Sequence, residues 1–176
     1  MLPSKTKRRL SILSALALVS LLHLQCGRSR PTVGGLEIGQ EAPVFELPDL
    51  AGRSVSLGQY QGRIVLLDFW ATWCGPCRLS MPLLEDLQKE YPNDLVLLAV
   101  NLQEPPDDVR RYVDRQRIRS RVLLDQEGRV GGAYGSESIP MQVLIDQKGI
   151  IRHVQVGFSP SMGARLKDEI DRLLGS

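Results

Sequence analysis

The chain has 176 residues, room for one domain and a short leader. Lys and Arg total 22 against 20 Asp and Glu, but four of the basic residues (Lys5, Lys7, Arg8 and Arg9) stand in the first 26 positions, which hold no acid. From Gly27 onward 18 basic residues face 20 acidic ones, a net charge of −2, which excludes the basic footprint of a nucleic-acid-binding protein.

In chain order, the basic start is followed by an apolar run from Leu10 to Leu22 and then Cys26. A basic region followed by about a dozen apolar residues has the form of a secretory signal, and the run is short for a membrane span. Cys26 stands where bacterial lipoproteins carry their acylated residue, although His23, Leu24 and Gln25 are larger than the small residues that usually precede it. Lipid on Cys26 or an uncleaved N-terminal anchor are the two expected attachments, and either puts the domain outside the cytoplasm. Residues 1–26 are therefore expected to be an export and anchor segment, 27–37 a flexible tether rich in Gly and Arg, and 38–176 the folded domain.

Val55 to Leu57 is a candidate short strand, and Ile64 to Phe69 an apolar, β-branched run of the buried central kind. The helical pattern after it carries Leu83, Leu84, Leu87 and Tyr91 and stops before Pro92. Leu95 to Val100 is a second buried strand. Pro105-Pro106-Asp107-Asp108 opens a helix with Val109, Tyr112 and Val113 as its apolar stripe. Val122 to Leu124 adds a strand, and Gly128 to Tyr134 a turn or short helix. Val143 to Ile145 and Ile150 to Val156 flank Gln147-Lys148-Gly149, a hairpin signal. Ser159-Pro160 opens a last helix with Met162, Leu166, Ile170 and Leu173 inward, ended by Gly175.

Between the first buried strand and its helix lies Trp73-Cys74-Gly75-Pro76-Cys77-Arg78. This spacing sets Cys74 at a helix N-terminus, where orphan N–H groups and the dipole favour a thiolate and lower the thiol pKa. Cys77, one turn on, is close enough to close a disulfide. A zinc site would need about four ligands, and only Cys26, His23 and His153 are left to join the pair, so no metal is expected. Covalent haem needs His after the second Cys, where Arg78 stands. A purely structural disulfide is the plainer alternative, but so small a loop removes little unfolded-state entropy.

The stretch Asp68-Phe69-Trp70-Ala71-Thr72-Trp73-Cys74-Gly75-Pro76-Cys77 resembles a thioredoxin-superfamily active site. Gly39-Gln40-Glu41-Ala42-Pro43 with Leu50-Ala51-Gly52, and Ile139-Pro140 with Val143 to Gly149, resemble the frame of the membrane-attached TlpA/ResA-like branch, which includes the CcmG/DsbE proteins. The resemblance covers Ile38 to Leu174 and implies an α/β thioredoxin fold, a central mixed β-sheet flanked by helices, with a central αβ insertion and an N-terminal extension.

Cys74 is then the nucleophile, expected to be the more exposed sulfur, and Cys77 the thiol that breaks the mixed disulfide. Asp68, in an otherwise apolar strand, matches thioredoxin's buried acid and would carry a raised pKa and exchange a proton with Cys77, unless it turns to solvent at the strand end. Trp73, Gly75 and Pro76 form the rim offered to substrate; Trp70 suits core packing equally well. Ile139-Pro140 resembles the cis-proline that leaves the preceding backbone open to a substrate strand. Pro82 would kink the helix, Ser80 stands where many relatives carry Glu, and Thr72 has no assigned role. The implied activity is an extracytoplasmic thiol-disulfide oxidoreductase, most simply a reductase of envelope-protein disulfides with apocytochrome c as leading substrate. A DsbD/CcdA-type membrane reductant would supply electrons, with no cofactor beyond the dithiol. A peroxiredoxin-like peroxidase and a non-catalytic binding module are the alternatives; the first would place Thr three residues before its reactive Cys, whereas Thr72 is two before.

Overall fold

The computed structural model describes Thr32, Val33 and residues 35–175; the export segment and Cys26 lie outside the described residues. Two small hairpins come first: β1 (Thr32–Val33) with β2 (Leu36–Glu37), and β3 (Glu46–Pro48) with β4 (Ser54–Ser56), followed by a 3-10 turn over Leu57–Tyr60. The domain then runs β5 (Ile64–Trp70), α1 (Gly75–Glu90), β6 (Leu95–Leu102), α2 (Pro106–Gln116), β7 (Arg121–Asp125), α3 (Arg129–Ala133), β8 (Met141–Ile145), β9 (Ile151–Val156) and α4 (Met162–Leu174). Among the described residues, no helix is long and apolar enough to cross a membrane.

The strands β5 to β9 form one mixed sheet in the order β7-β6-β5-β8-β9. The pairs β5–β6 and β6–β7 are parallel, because helical crossovers return the chain to the same end, whereas β8 and β9 are antiparallel and joined by the expected hairpin. Helix α2 with edge strand β7 is the central αβ insertion. All seven residues of β5 are buried, as a strand covered on both faces requires. Alternation splits them: Ile64 and Leu66 pack with Leu84, Leu87, Leu166 and Ile170 of α1 and α4, while Val65, Leu67 and Phe69 pack with Phe45, Leu47, Val55 and Tyr134 on the opposite face.

Several boundaries differ from expectation. Within the stretch expected as tether, β1 and β2 pair and Leu36 enters the core, so ordered packing begins before Ile38. The strand expected over Val55 to Leu57 sits one residue earlier, its partner β3 having no long apolar run to announce it. Helix α4 begins at Met162 rather than at Ser159-Pro160. The inward face of α1 is Cys77, Ser80, Met81, Leu84 and Leu87, with Leu83 only half-buried, so the cysteine pair itself starts the apolar stripe.

Candidate active site

Strand β5 ends at Trp70, and the chain crosses Ala71-Thr72-Trp73 to enter α1 with Cys74 as its N-cap. Cys74 keeps an extended backbone (φ −77°, ψ 105°), and its Sγ accepts from the backbone N–H of Cys77 at 3.2 Å. That contact places the sulfur among the orphan amides of the first turn, where a negative charge is stabilised. Gly75 and Pro76 fill the opening helical positions, and Pro suits a place whose N–H has no intrahelical partner. Cys74 and Cys77 are joined as a disulfide with Cα atoms 5.3 Å apart.

The two cysteines differ in exposure in the expected order, but only slightly: Cys74 is 4% exposed and Cys77 2%. Both residues are nearly fully buried in the disulfide-bonded state, and position on the helix is what distinguishes them. Around them Trp73 is 72% exposed and Pro76 is exposed, while Trp70 is buried, its ring 5.5 Å from that of Tyr112. Trp73 is therefore the rim aromatic and Trp70 a core one. The Ile139–Pro140 bond is cis; Ile139 packs against the cluster that holds both cysteines and lies just outside the ladder that begins at Met141. A cleft of about 70 Å³, lined in part by Trp70, Cys77, Arg78, Met81 and Tyr112, opens between α1 and α2. A larger concavity of about 310 Å³ lined in part by Tyr60, Arg63, Ile145 and Lys148 lies at the other end of β5, away from the dithiol.

Asp68 has no exposed surface. On the pleat it shares the face of Ile64, Leu66 and Trp70, beneath α1, and its neighbours across the ladders are Ala99 on β6 and Gln142 on β8. Ala99, the ladder neighbour of Asp68, and Trp70, two residues further along β5, share one buried cluster with Cys77. Gln142 Nε2 donates to Asp68 Oδ1 at 2.6 Å, and Oδ2 has no hydrogen-bond partner among the described residues. Burial pushes the pKa of Asp68 up and the Gln142 hydrogen bond pulls it partly back, leaving it at about 7. The reading of Asp68 as a solvent-facing strand-end residue is excluded.

Three participants were not singled out from the sequence. Gln142 is one. Glu104, in the loop after β6, is another: its carboxylate accepts from the backbone N–H of Thr72 at 2.7 Å, from the Thr72 hydroxyl at 2.5 Å and from Asn101 Nδ2 at 2.7 Å. Thr72 thus has a job, anchoring the loop before Cys74 to the end of β6, and Asn101 is the third. The only local signals were a Gln in an apolar strand and an acid beside the Pro105-Pro106 pair. Ser80 is wholly buried and its hydroxyl donates to the Cys77 carbonyl at 3.1 Å, so it serves the helix backbone rather than presenting a charge.

A disulfide at a helix N-terminus, reached from a strand that buries an acid with its pKa raised to about 7, is arranged for thiol–disulfide exchange, in which the dithiol itself carries two electrons. The comparisons with known proteins agree. Residues 38–154 match the AhpC/TSA family. The thioredoxin-like protein YneN of Bacillus subtilis is 38% identical over 140 residues, 78% of this chain and 82% of its own length. The thiol-disulfide oxidoreductase ResA of Geobacillus thermodenitrificans is 37% identical over 121 residues, 68% of this chain and 70% of its own. A solved structure from Chlorobium tepidum, assigned as a thiol:disulfide interchange protein DsbE, superposes with a TM-score of 0.75 at 35% identity, covering 80% of this chain and 99% of that one. With its helix-capping Cys74–Cys77 pair on a thioredoxin fold, this chain belongs to the AhpC/TSA family and is a thiol-disulfide oxidoreductase of the ResA/DsbE type.

Proposed function

We propose that the protein is a membrane-attached, extracytoplasmic reductase of disulfides in other envelope proteins, apocytochrome c first among them. The observation that carries this reading is the helix-capping Cys74–Cys77 disulfide, with the buried Asp68 on the strand that leads into it. In the reduced enzyme the Cys74 thiolate attacks a substrate disulfide, forming the Cys74–substrate bond and releasing one substrate thiolate. The Asp68 carboxylate takes the Cys77 proton, and the Cys77 thiolate attacks Cys74 Sγ. The Cys74–Cys77 bond forms, the mixed disulfide breaks and the second substrate sulfur leaves; two electrons have passed to the substrate. Trp73, Gly75, Pro76 and the Ile139-Pro140 segment receive the substrate chain. A DsbD/CcdA-type membrane reductant returns the electrons, and the dithiol needs no cofactor. The N-terminal segment holds the domain at the membrane, through lipid on Cys26 or as an uncleaved anchor.

Insulin reduction by dithiothreitol, followed by turbidity, should accelerate in the presence of the protein and return to background with Cys74→Ser, while hydrogen peroxide is consumed only at the uncatalysed rate. Peroxide turnover without insulin reduction would identify a peroxidase instead, and neither activity a binding module.

Asp68 makes a stability prediction whose sign is set by its raised pKa. The folded protein holds this proton up to about pH 7, while the unfolded chain releases it near 3.8, so the contribution is fully present below 3.8 and is lost as pH rises toward 7. In urea unfolding of the oxidised protein, the stability of Asp68→Asn relative to wild type should rise as pH increases from 4 to 7, by as much as about 4 kcal/mol. A stability difference that is the same at both pH values would show that Asp68 titrates normally in the fold.

Cell fractionation tests the attachment. The full-length chain should sediment with membranes, a chain beginning at Gly27 should be soluble, and intact mass should distinguish lipid on Cys26 from an uncleaved leader. Full-length protein found free in the soluble fraction would contradict both forms of anchoring.

A further inference from the structure

The antiparallel register of β5 and β8 sets Gln142 directly opposite Asp68, and neither side chain has exposed surface. Of the carboxylate's two oxygens, only Oδ1 is engaged, by Gln142 Nε2 at 2.6 Å. Ala99 flanks Asp68 on β6, and Leu66 and Trp70 neighbour it along β5; the buried indole N–H of Trp70 has no hydrogen-bond partner among the described residues. Among the described residues, burial and the Gln142 hydrogen bond are what shift Asp68.

An ionised carboxyl in an apolar setting is tolerated only where a donor meets it, and a hydrogen bond to the charged form favours that form. A single donor also fixes which oxygen is left for the proton. We propose that Gln142 is the positioning residue of the buried acid: by occupying Oδ1 it keeps Asp68 able to ionise and leaves Oδ2 as the atom that receives the proton. The inference rests on the reading of Asp68 as the Cys77 proton acceptor and gives that reading its geometry. When the Cys77 S–H bond breaks, the proton forms a bond to Oδ2, the sulfur keeps the electron pair, and the Gln142 amide stays on Oδ1 throughout. Without it the carboxyl would keep its proton to higher pH, and a protonated acid cannot deprotonate Cys77.

The test is a carboxyl-carbon NMR titration of Asp68 in the oxidised full-length protein in detergent micelles, for wild type and for Gln142→Met, which approximates the length but lacks the donor. The Asp68 midpoint should rise by about one pH unit or more, a tenfold gain in proton affinity, as expected on losing a donor to a charged group. An unchanged or lowered midpoint would overturn the inference. If the variant does not fold, the wild type alone decides: the side-chain amide signals of Gln142 should shift with the same midpoint as the Asp68 carboxyl carbon, and signals that stay flat through that titration would refute the coupling. Both readings concern the Asp68–Gln142 pair directly. They therefore hold or fail independently of whether Asp68 serves Cys77, which is lost only if removing the carboxyl leaves thiol exchange unaltered.

Discussion

A carboxyl group with no counter-charge among the described residues occupies the middle strand of a sheet whose two faces are both covered. Burial of this kind destabilises the ionised form and moves the pKa of Asp68 from the acid range to about 7. In an aliphatic core the same position would take Leu or Val at lower cost, as Leu66 and Leu67 do on the same strand. The acid therefore makes sense through what lies above it. Cys77 is the first buried residue of α1, and a proton taken from its thiol needs an acceptor whose affinity is matched to neutral pH.

The other half of the site is held by backbone geometry. Because β5 runs straight into the loop before α1, the end of the central strand and the helix N-terminus are separated by only four residues, Ala71 to Cys74. Cys74 has the amides of the first turn, while Cys77, one turn on, lies in the buried cluster that holds Ala99, the ladder neighbour of Asp68. Glu104 stiffens this arrangement by tying Thr72 to the end of β6, so the loop that carries Cys74 is referenced to two adjacent strands instead of hanging from one. Trp73 at the end of that loop and Pro76 in the first turn of α1 are exposed beside the disulfide.

How much of this could be read from the residues alone follows from range. The Cys-Gly-Pro-Cys turn, the apolar runs of β5 and β6 and the hairpin around Lys148-Gly149 are local patterns, and each became the element expected. Asp68 stood out because it interrupts an apolar run. Gln142 did not, since its meaning depends on facing Asp68 across a ladder 74 positions away in sequence. Glu104 is 32 positions from Thr72, and only the parallel pairing of β5 with β6 brings them together. The exposure of the cysteines runs in the expected order, but the difference is only 4% against 2% in the disulfide-bonded state. The small strands β1 to β4 were largely missed because two or three residues are too few to show alternation.

The cleft beside Cys77 offers solvent as a competing proton acceptor, so the central claim is that Asp68, and not water, takes the Cys77 proton. The direct measurement is the rate at which a preformed mixed disulfide on Cys74 is released, followed by rapid quench from pH 5 to pH 9 in wild type and Asp68→Asn. The account predicts a wild-type rate that rises through an inflection near pH 7. The variant should be slower by about 10²-fold at neutral pH, without that inflection. Superimposable profiles would contradict it, and would leave solvent in the cleft as the proton acceptor.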